Sequence, residues 1–128
     1  MTYKIKYPQK ISSSELELYF LDLGFEELVE ASKEKPRTIN QMNMENPYPP
    51  ELEDLYRLHQ YILLNNRTTI LEFGCGWSSL VMADSLSSNK DKLGDSILRR
   101  GNPFELHILD NEKEYLEIAV SRIKSDNV

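Results

Sequence analysis

Two short polar clusters, each directly after an apolar run, contain residue types that bind charged small molecules. In the first, Glu72 precedes two glycines, Gly74 and Gly76. The second begins at Asp110. Glycines let the backbone turn sharply and approach a ligand closely, and a carboxylate accepts hydrogen bonds from both hydroxyls of a ribose. These residue types therefore indicate a site for a nucleotide-like ligand.

The acid in the first cluster indicates the sign of the charge on that ligand. A dinucleotide site favours the pattern G-x-G-x-x-G, with a pyrophosphate on the amino terminus of the following helix. The third glycine position of that pattern is Ser79 here, and Glu72 stands two residues before Gly74. A carboxylate at that place repels a pyrophosphate, so we expect a ligand that carries an ammonium or a sulfonium.

Both clusters stand where a predicted strand ends. Residues 68–73 are apolar and partly β-branched, and residues 105–110 form a second short apolar run, which predicts two strands. Apolar residues at helical spacing follow over 77–86 and over 115–123. Asn111 is positioned to cap the second of these helices.

Two strands that are each followed by a helix make a βαβα unit, so the fold class we predict is α/β with a parallel sheet. Right-handed crossovers place the loops after both strands at one edge of such a sheet, where ligands bind. We therefore expect the glycine turn and Asp110 to face a common cleft.

Helices and a linker are predicted before this unit. Ser14 and Glu17 have the spacing of a capping box and predict the start of a helix that Gly24 breaks or kinks. Residues 33–50 are polar and rich in proline, as in a linker or covering loop. An amphipathic helix is predicted over 52–64.

The segment 70–79, ILEFGCGWSS, resembles the first motif of the class I, Rossmann-like S-adenosylmethionine-dependent methyltransferases. That motif is an acid, any residue, Gly, any residue, Gly. Residues 106–111, LHILDN, resemble the second family signature, an apolar strand that ends in an acid. The resemblance covers about 51–123 and implies a Rossmann-like sheet with flanking helices, S-adenosylmethionine as the cofactor, and transfer of a methyl group.

The resemblance implies six cofactor-binding residues, which are Glu72, Gly74, Cys75, Gly76, Asp110 and Asn111. The turn 74–76 would lie against the methionine part of the cofactor, and Glu72 would orient its amino group directly or through water. Asp110 would hold the ribose hydroxyls, and Asn111 would lie beside the adenine. The resemblance assigns no catalytic residue and no methyl acceptor.

Two regions follow from this interpretation. Residues 1–50 form an amino-terminal helical segment with a proline-rich loop, and residues 51–128 form a partial cofactor-binding domain. A polar stretch over 87–103 is predicted to be a loop that separates the two motifs more widely than usual. The family's sheet has seven strands, so we expect a truncated or partial methyltransferase whose free sheet edge pairs with another copy or is covered by the amino-terminal segment.

Structural interpretations and other functions stay open. The glycines could form only a tight turn, Glu72 could be a solvated strand end, and Asp110 could be a helix cap. Trp77 could line the methionine pocket or pack against the amino-terminal helices. For the whole chain, the alternatives are a non-catalytic cofactor- or partner-binding remnant of the fold and a fragment of a nicotinamide-dependent oxidoreductase.

Composition and charge limit the partners. The chain has 128 residues and a formal net charge of -6, which suits one domain and argues against general binding to nucleic acid or anionic membranes. No apolar run is long enough to span a bilayer. Cys75 is the single cysteine, so no internal disulfide forms and we expect a cytoplasmic protein. No His or Cys pattern predicts a metal site.

Overall fold

The computed structural model describes residues 4–34, 49–94 and 103–123. The helices and strands in these residues are, in chain order, α1 (Ser13–Asp22), α2 (Glu26–Ser32), α3 (Leu52–Leu64), β1 (Thr69–Phe73), α4 (Trp77–Leu93), β2 (Glu105–Leu109) and α5 (Lys113–Arg122). The mixed α/β class predicted from the sequence is confirmed for this part of the chain. None of the helices described there is long and apolar enough to span a bilayer.

The chain divides into two compact units. One is Gln9–Tyr56, and the other combines Met1–Pro8 with Arg57–Val128. The first unit contains α1 and α2, and the second contains both strands with α4 and α5. The glycine turn and Asp110 both belong to the second unit.

Helices α1 and α2 lie next to each other in the first unit and bury Phe20 and Leu28. Gly24 separates them at φ +83°, a left-handed conformation that favours glycine. The break predicted at this glycine is therefore confirmed. Most of the predicted linker, residues 35–48, lies outside the described residues.

The capping box predicted at Ser14 and Glu17 is wrong by two residues. Ser12 is the N-cap of α1. Its Oγ accepts a hydrogen bond from the backbone N–H of Glu15 at 3.3 Å and donates one to the Glu15 carboxylate at 3.0 Å. Three consecutive serines offer three starting points, and the helix uses the first of them.

Strands β1 and β2 form a parallel two-stranded sheet. The register pairs Thr69 with Glu105 and Phe73 with Leu109, so the two strands begin and end level with each other. Phe104, just before β2, adopts φ +62° and donates its backbone N–H to the carbonyl of Thr68. The loops that follow the two strands therefore start at the same edge of the sheet.

One face of the sheet packs against helices and forms the core of the second unit. The buried residues of this core are Ile62, Met82, Ala83, Leu86 and Leu106, and the partly buried residues packed against them are Leu58, Ile70, Ile108 and Ile123. Full burial of a Leu, Ile or Met side chain contributes about 1.5–3 kcal/mol relative to exposure. This cluster therefore fixes the sheet against α4.

The opposite face of the sheet, which we call the uncovered face, is exposed to solvent. Its residues are Thr69, Leu71, Phe73, Glu105, His107 and Leu109. Phe73 is 77% exposed, and Leu71 and Leu109 are each more than half exposed. Parallel sheets are usually covered on both faces, so this face is unusual in presenting three large apolar side chains.

Helix α4 extends through residues 87–93, for which a loop was predicted, and the prediction is wrong there. The side chain of Asn89 is fully buried in this part of the helix. Its amide donates to the carbonyls of Ile62 at 3.1 Å and of Arg67 at 2.8 Å. These polar contacts fix the last turns of α4 without the apolar periodicity that would have predicted them. Residues 95–102 lie outside the described residues.

Candidate functional site

The glycine turn after β1 and Asp110 after β2 are in direct contact. The backbone N–H of Gly74 donates to the carbonyl of Leu109 at 2.7 Å, which continues the sheet one step past the strands. Cys75 donates twice to Oδ2 of Asp110, from its backbone N–H at 3.1 Å and from its thiol at 3.2 Å. The structure therefore brings together the two clusters that the sequence singled out.

The Asp110 carboxylate is held by donors from both loops. While Oδ2 faces Cys75, Oδ1 accepts a hydrogen bond from the backbone N–H of Glu112 at 2.9 Å. The bond from Glu112, followed by the bond from the Cys75 thiol, lowers the pKa of Asp110 below its ordinary value. Asp110 is therefore a carboxylate at neutral pH, and bonds from both loops fix its orientation.

The Cys75 thiol is a hydrogen-bond donor rather than a nucleophile. Burial, the hydrogen bond to Asp110 and the negative charges of Asp110 and Glu72 together raise the pKa of Cys75 to about 11. Arg122 opposes this shift with its positive charge. Since the thiolate is the reactive form, a thiol with this pKa is unreactive at neutral pH and serves to hold Asp110.

The two glycines leave open space beside the turn. Gly74 adopts φ +81°, where a residue with a Cβ is strained, and a Cβ built there would meet no atom within 4 Å. Gly76 has extended backbone, and a Cβ built there would also meet nothing within 4 Å. Gly74 is thus required by the turn itself, whereas the absence of a side chain at Gly76 has no conformational reason and leaves its backbone accessible.

Glu72 lies inward and contacts the first turn of α4. Its Oε2 accepts a hydrogen bond from Ser78 Oγ at 2.6 Å, and its Oε1 accepts one from Ser79 Oγ. Ser79 is fully buried, and its Oγ also accepts the backbone N–H of Gly76 at 3.2 Å. A negative charge at the amino terminus of a helix is stabilising, so Glu72 anchors the start of α4.

Sequence reasoning missed the role of these two serines. Ser79 was noted only as the residue at the third glycine position of the dinucleotide pattern, and Ser78 was given no role. The signal that could have revealed them is the pair of hydroxyls six and seven residues after a strand acid, in the first turn of the predicted helix.

Asn111 does not cap α5, and the prediction that it would is wrong. The N-cap residue is Glu112, which makes no side-chain capping bond. Asp110 instead satisfies the backbone N–H of Glu112. Asn111 is exposed beside Asp110, and its contact with an adenine stays a prediction.

Arg122 and Trp77 form a contact that sequence reasoning did not anticipate. The guanidinium carbon of Arg122 lies 3.8 Å from the centroid of the Trp77 ring, a cation–π arrangement. Arg122 is the last residue of α5, and Trp77 is the first residue of α4, directly after Gly76.

Both histidines pair with acids outside this junction. His59 is buried, with Nε2 at 2.8 Å from Oδ2 of Asp84, and His107 pairs with Glu105 at 3.1 Å on the uncovered face. Within residues 4–34, 49–94 and 103–123, no group of three or more His, Cys, Asp or Glu side chains could hold a metal ion.

The chain matches no protein-family model, no curated protein and no solved structure.

Proposed function

We propose that the loops after β1 and β2 bind S-adenosylmethionine, and that the second unit is the cofactor-binding part of a Rossmann-like methyltransferase. The observation that carries this proposal is the bond between the Asp110 carboxylate and the backbone N–H of Cys75. It joins a glycine turn and an acid at the carboxyl edge of two parallel strands, where α/β proteins bind ligands. A reducing compartment such as the cytoplasm would keep Cys75 as the donor thiol.

The residues present fit an adenosyl sulfonium. Each oxygen of the Asp110 carboxylate has more than one lone pair, so it can accept from ribose hydroxyls while keeping its bonds to Cys75 and Glu112. Because Cys75 closes the gap between the loops, the ligand would lie against the outer side of the junction. Open space beside Gly74 and Gly76 permits that approach. Asn111 is exposed next to Asp110, where an adenine would lie.

Glu72 acts at a distance in this proposal. Its oxygens already accept hydrogen bonds from Ser78 and Ser79. Glu72 therefore holds the turn in place and does not contact the ligand directly. Its charge still lies near the turn, because it contributes to the raised pKa of Cys75. A negative potential there favours a cationic ligand over a pyrophosphate.

When bound, the cofactor would supply a methyl group on a positively charged sulfur. A nucleophilic atom of the acceptor would attack the methyl carbon in line with the carbon–sulfur bond, and the sulfur would leave as a neutral thioether. The residues of this chain bind and orient the cofactor, and positioning of this kind can supply much of the rate enhancement of such a transfer. No residue is assigned as a general base, and the acceptor is not assigned.

Calorimetry of the full chain with S-adenosylmethionine, S-adenosylhomocysteine and NAD tests the proposal. We expect binding of the first two ligands only, and a loss of about tenfold or more in affinity for Asp110→Asn, since hydrogen bonds to an ionised acceptor are stronger than those to a neutral one. Asp91→Asn, which removes the same charge from an exposed position of α4, is the matched control. Binding of NAD alone would instead favour the oxidoreductase fragment.

A second candidate, a non-catalytic partner-binding module, is favoured by the uncovered face. Leu71, Phe73 and Leu109 are exposed there, and in residues 4–34, 49–94 and 103–123 only two strands make up the sheet. Exposed apolar faces are places where chains associate, so a second copy would pack against this face of the sheet. Light scattering after size-exclusion chromatography should then show a dimer that Phe73→Glu converts to a monomer. A monomer of the unmodified chain at high concentration would contradict this candidate.

A further inference from the structure

A cation and two acids surround the glycine turn. Arg122 lies over the Trp77 ring at 3.8 Å, and Trp77 follows Gly76 directly. Asp110 bonds to the turn on one side, and Glu72 contacts the helix start that the turn leads into. The rim of the turn therefore carries fixed charges of both signs.

The charge of Arg122 reaches the turn itself. It is among the groups that act on the pKa of Cys75, and it is the one that lowers this pKa while burial and the two acids raise it. Stacking on an aromatic ring engages the flat face of a guanidinium, whereas its hydrogen bonds run in the plane of the group. The contact with the Trp77 ring holds the guanidinium of Arg122 beside the start of α4, and a cation–π contact by itself uses none of the N–H donors.

An amino-acid group matches this distribution of charge, since it joins an ammonium to a carboxylate across one carbon. Guanidinium groups bind carboxylates with two parallel hydrogen bonds, which is the geometry that a lysine in the same place could not provide. A ligand with only a positive charge would be attracted by the acids and repelled by Arg122.

We propose that Arg122, oriented by the Trp77 ring, binds the carboxylate of the ligand's amino-acid portion and so selects for ligands that keep this carboxylate. This proposal rests on the proposed function, because it assigns a role within the same site. It makes Arg122 a specificity-determining residue, and it makes Trp77 the positioning residue that acts through Arg122.

The test compares S-adenosylmethionine with its decarboxylated form, which keeps the adenosyl and sulfonium groups. Calorimetry of the full chain should give a dissociation constant for S-adenosylmethionine that rises about tenfold to a hundredfold in Arg122→Met. The constant for the decarboxylated ligand should stay unchanged or fall in the same variant. Trp77→Leu should reduce the same discrimination to a smaller extent, and Arg57→Met on an exposed part of α3 is the matched control.

The outcomes separate the two proposals. If the unmodified chain binds neither ligand, the proposed function and this role of Arg122 are both overturned. If it binds both ligands and Arg122→Met weakens them equally, Arg122 only braces α5 against α4, and the carboxylate role alone is overturned. Circular dichroism and thermal melting of each variant establish that the comparison is made on folded protein.

Discussion

The thiol and the backbone N–H of Cys75 both donate to the same oxygen of Asp110, at 3.2 and 3.1 Å. These two hydrogen bonds from one residue connect the turn after β1 with the end of β2. They also fix the charge state of both partners, because the pKa of the acid is lowered and the pKa of the thiol is raised. Three predictions concern this junction and its glycine turn, and a fourth concerns the buried Asn89 of α4.

The thiol of Cys75 should react slowly with alkylating and disulfide reagents. Its pKa is raised from 9.0 to about 11, and two pKa units reduce the thiolate fraction about a hundredfold well below pH 9. The rate of reaction with a chromogenic disulfide at pH 8 should therefore be about a hundredfold below that of the unfolded chain. Asp110→Asn should raise the rate, since it removes a negative charge, although burial keeps it below the unfolded value. A native rate equal to that of the unfolded chain would contradict the geometry.

Asp110 should make stability depend on acid pH. Its pKa is lowered in the folded state, chiefly by the backbone N–H of Glu112, so the carboxylate contributes stability above the ordinary aspartate pKa of about 3.9. That contribution is lost as the pH falls through the lowered value. Urea unfolding should show the native chain to be more stable than Asp110→Asn at pH 6, with the gap closing below about pH 4. If the difference in free energy of unfolding between the native chain and Asp110→Asn stayed constant from pH 6 to pH 2, Asp110 would not be the source of the pH dependence.

Two glycine substitutions should separate stability from binding. Gly74→Ala places a Cβ on a residue at φ +81° and should destabilise the protein by about 1–2 kcal/mol. In Gly76→Ala the added Cβ meets no atom within 4 Å, and the backbone at this position is extended. The free energy of unfolding should therefore change by less than about 0.5 kcal/mol. Under the proposed function, Gly76→Ala should still weaken S-adenosylmethionine by filling the space beside the turn. Chemical denaturation and calorimetry on both variants measure the two effects.

Asn89 should be important for stability although it lies far from the site. Its buried amide donates to the carbonyls of Ile62 and Arg67, and each intramolecular hydrogen bond contributes about 0.5–1.5 kcal/mol net. Asn89→Ala should therefore lower the free energy of unfolding by at least about 1 kcal/mol. Ser88→Ala, at the neighbouring exposed position, is the control and should have little effect. Equal stability of the two variants would show that these bonds contribute nothing.

The sequence predicted those parts of the site that depend on local pattern. The apolar runs before Glu72 and Asp110 predicted β1 and β2, and parallel pairing then required the two loops to meet at one edge. The role of Gly74 also follows from its type, because the turn needs a positive φ there. These relationships need only the order of the elements along the chain.

The parts that were missed depend on contacts between residues that are distant in the sequence. Asn89 extends α4 by binding carbonyls near the end of α3, and no periodicity reports such a bond. The contact between Arg122 and Trp77 depends on how α5 packs on α4, which hydrophobic spacing does not determine. The N-cap of α1 was missed for a local reason, because each of three consecutive serines suits that position and Ser12 rather than Ser14 occupies it.

The uncovered face changes what specifies the alignment of the strands. In a sheet with one apolar and one polar face, sliding a strand by one residue would expose its apolar side chains, and hydrophobicity alone would oppose the slip. After such a slip, Leu71 and Phe73 would take the place of Ile70 in the interior. Because all three side chains are apolar, hydrophobic burial hardly distinguishes the two alignments of β1. The shift would break the polar bonds of Glu72 to the serines and of Cys75 to Asp110, together with the backbone bond from Gly74 to Leu109. The side chains of Glu72 and Asp110 thus help to specify which residues of the two strands stand opposite each other.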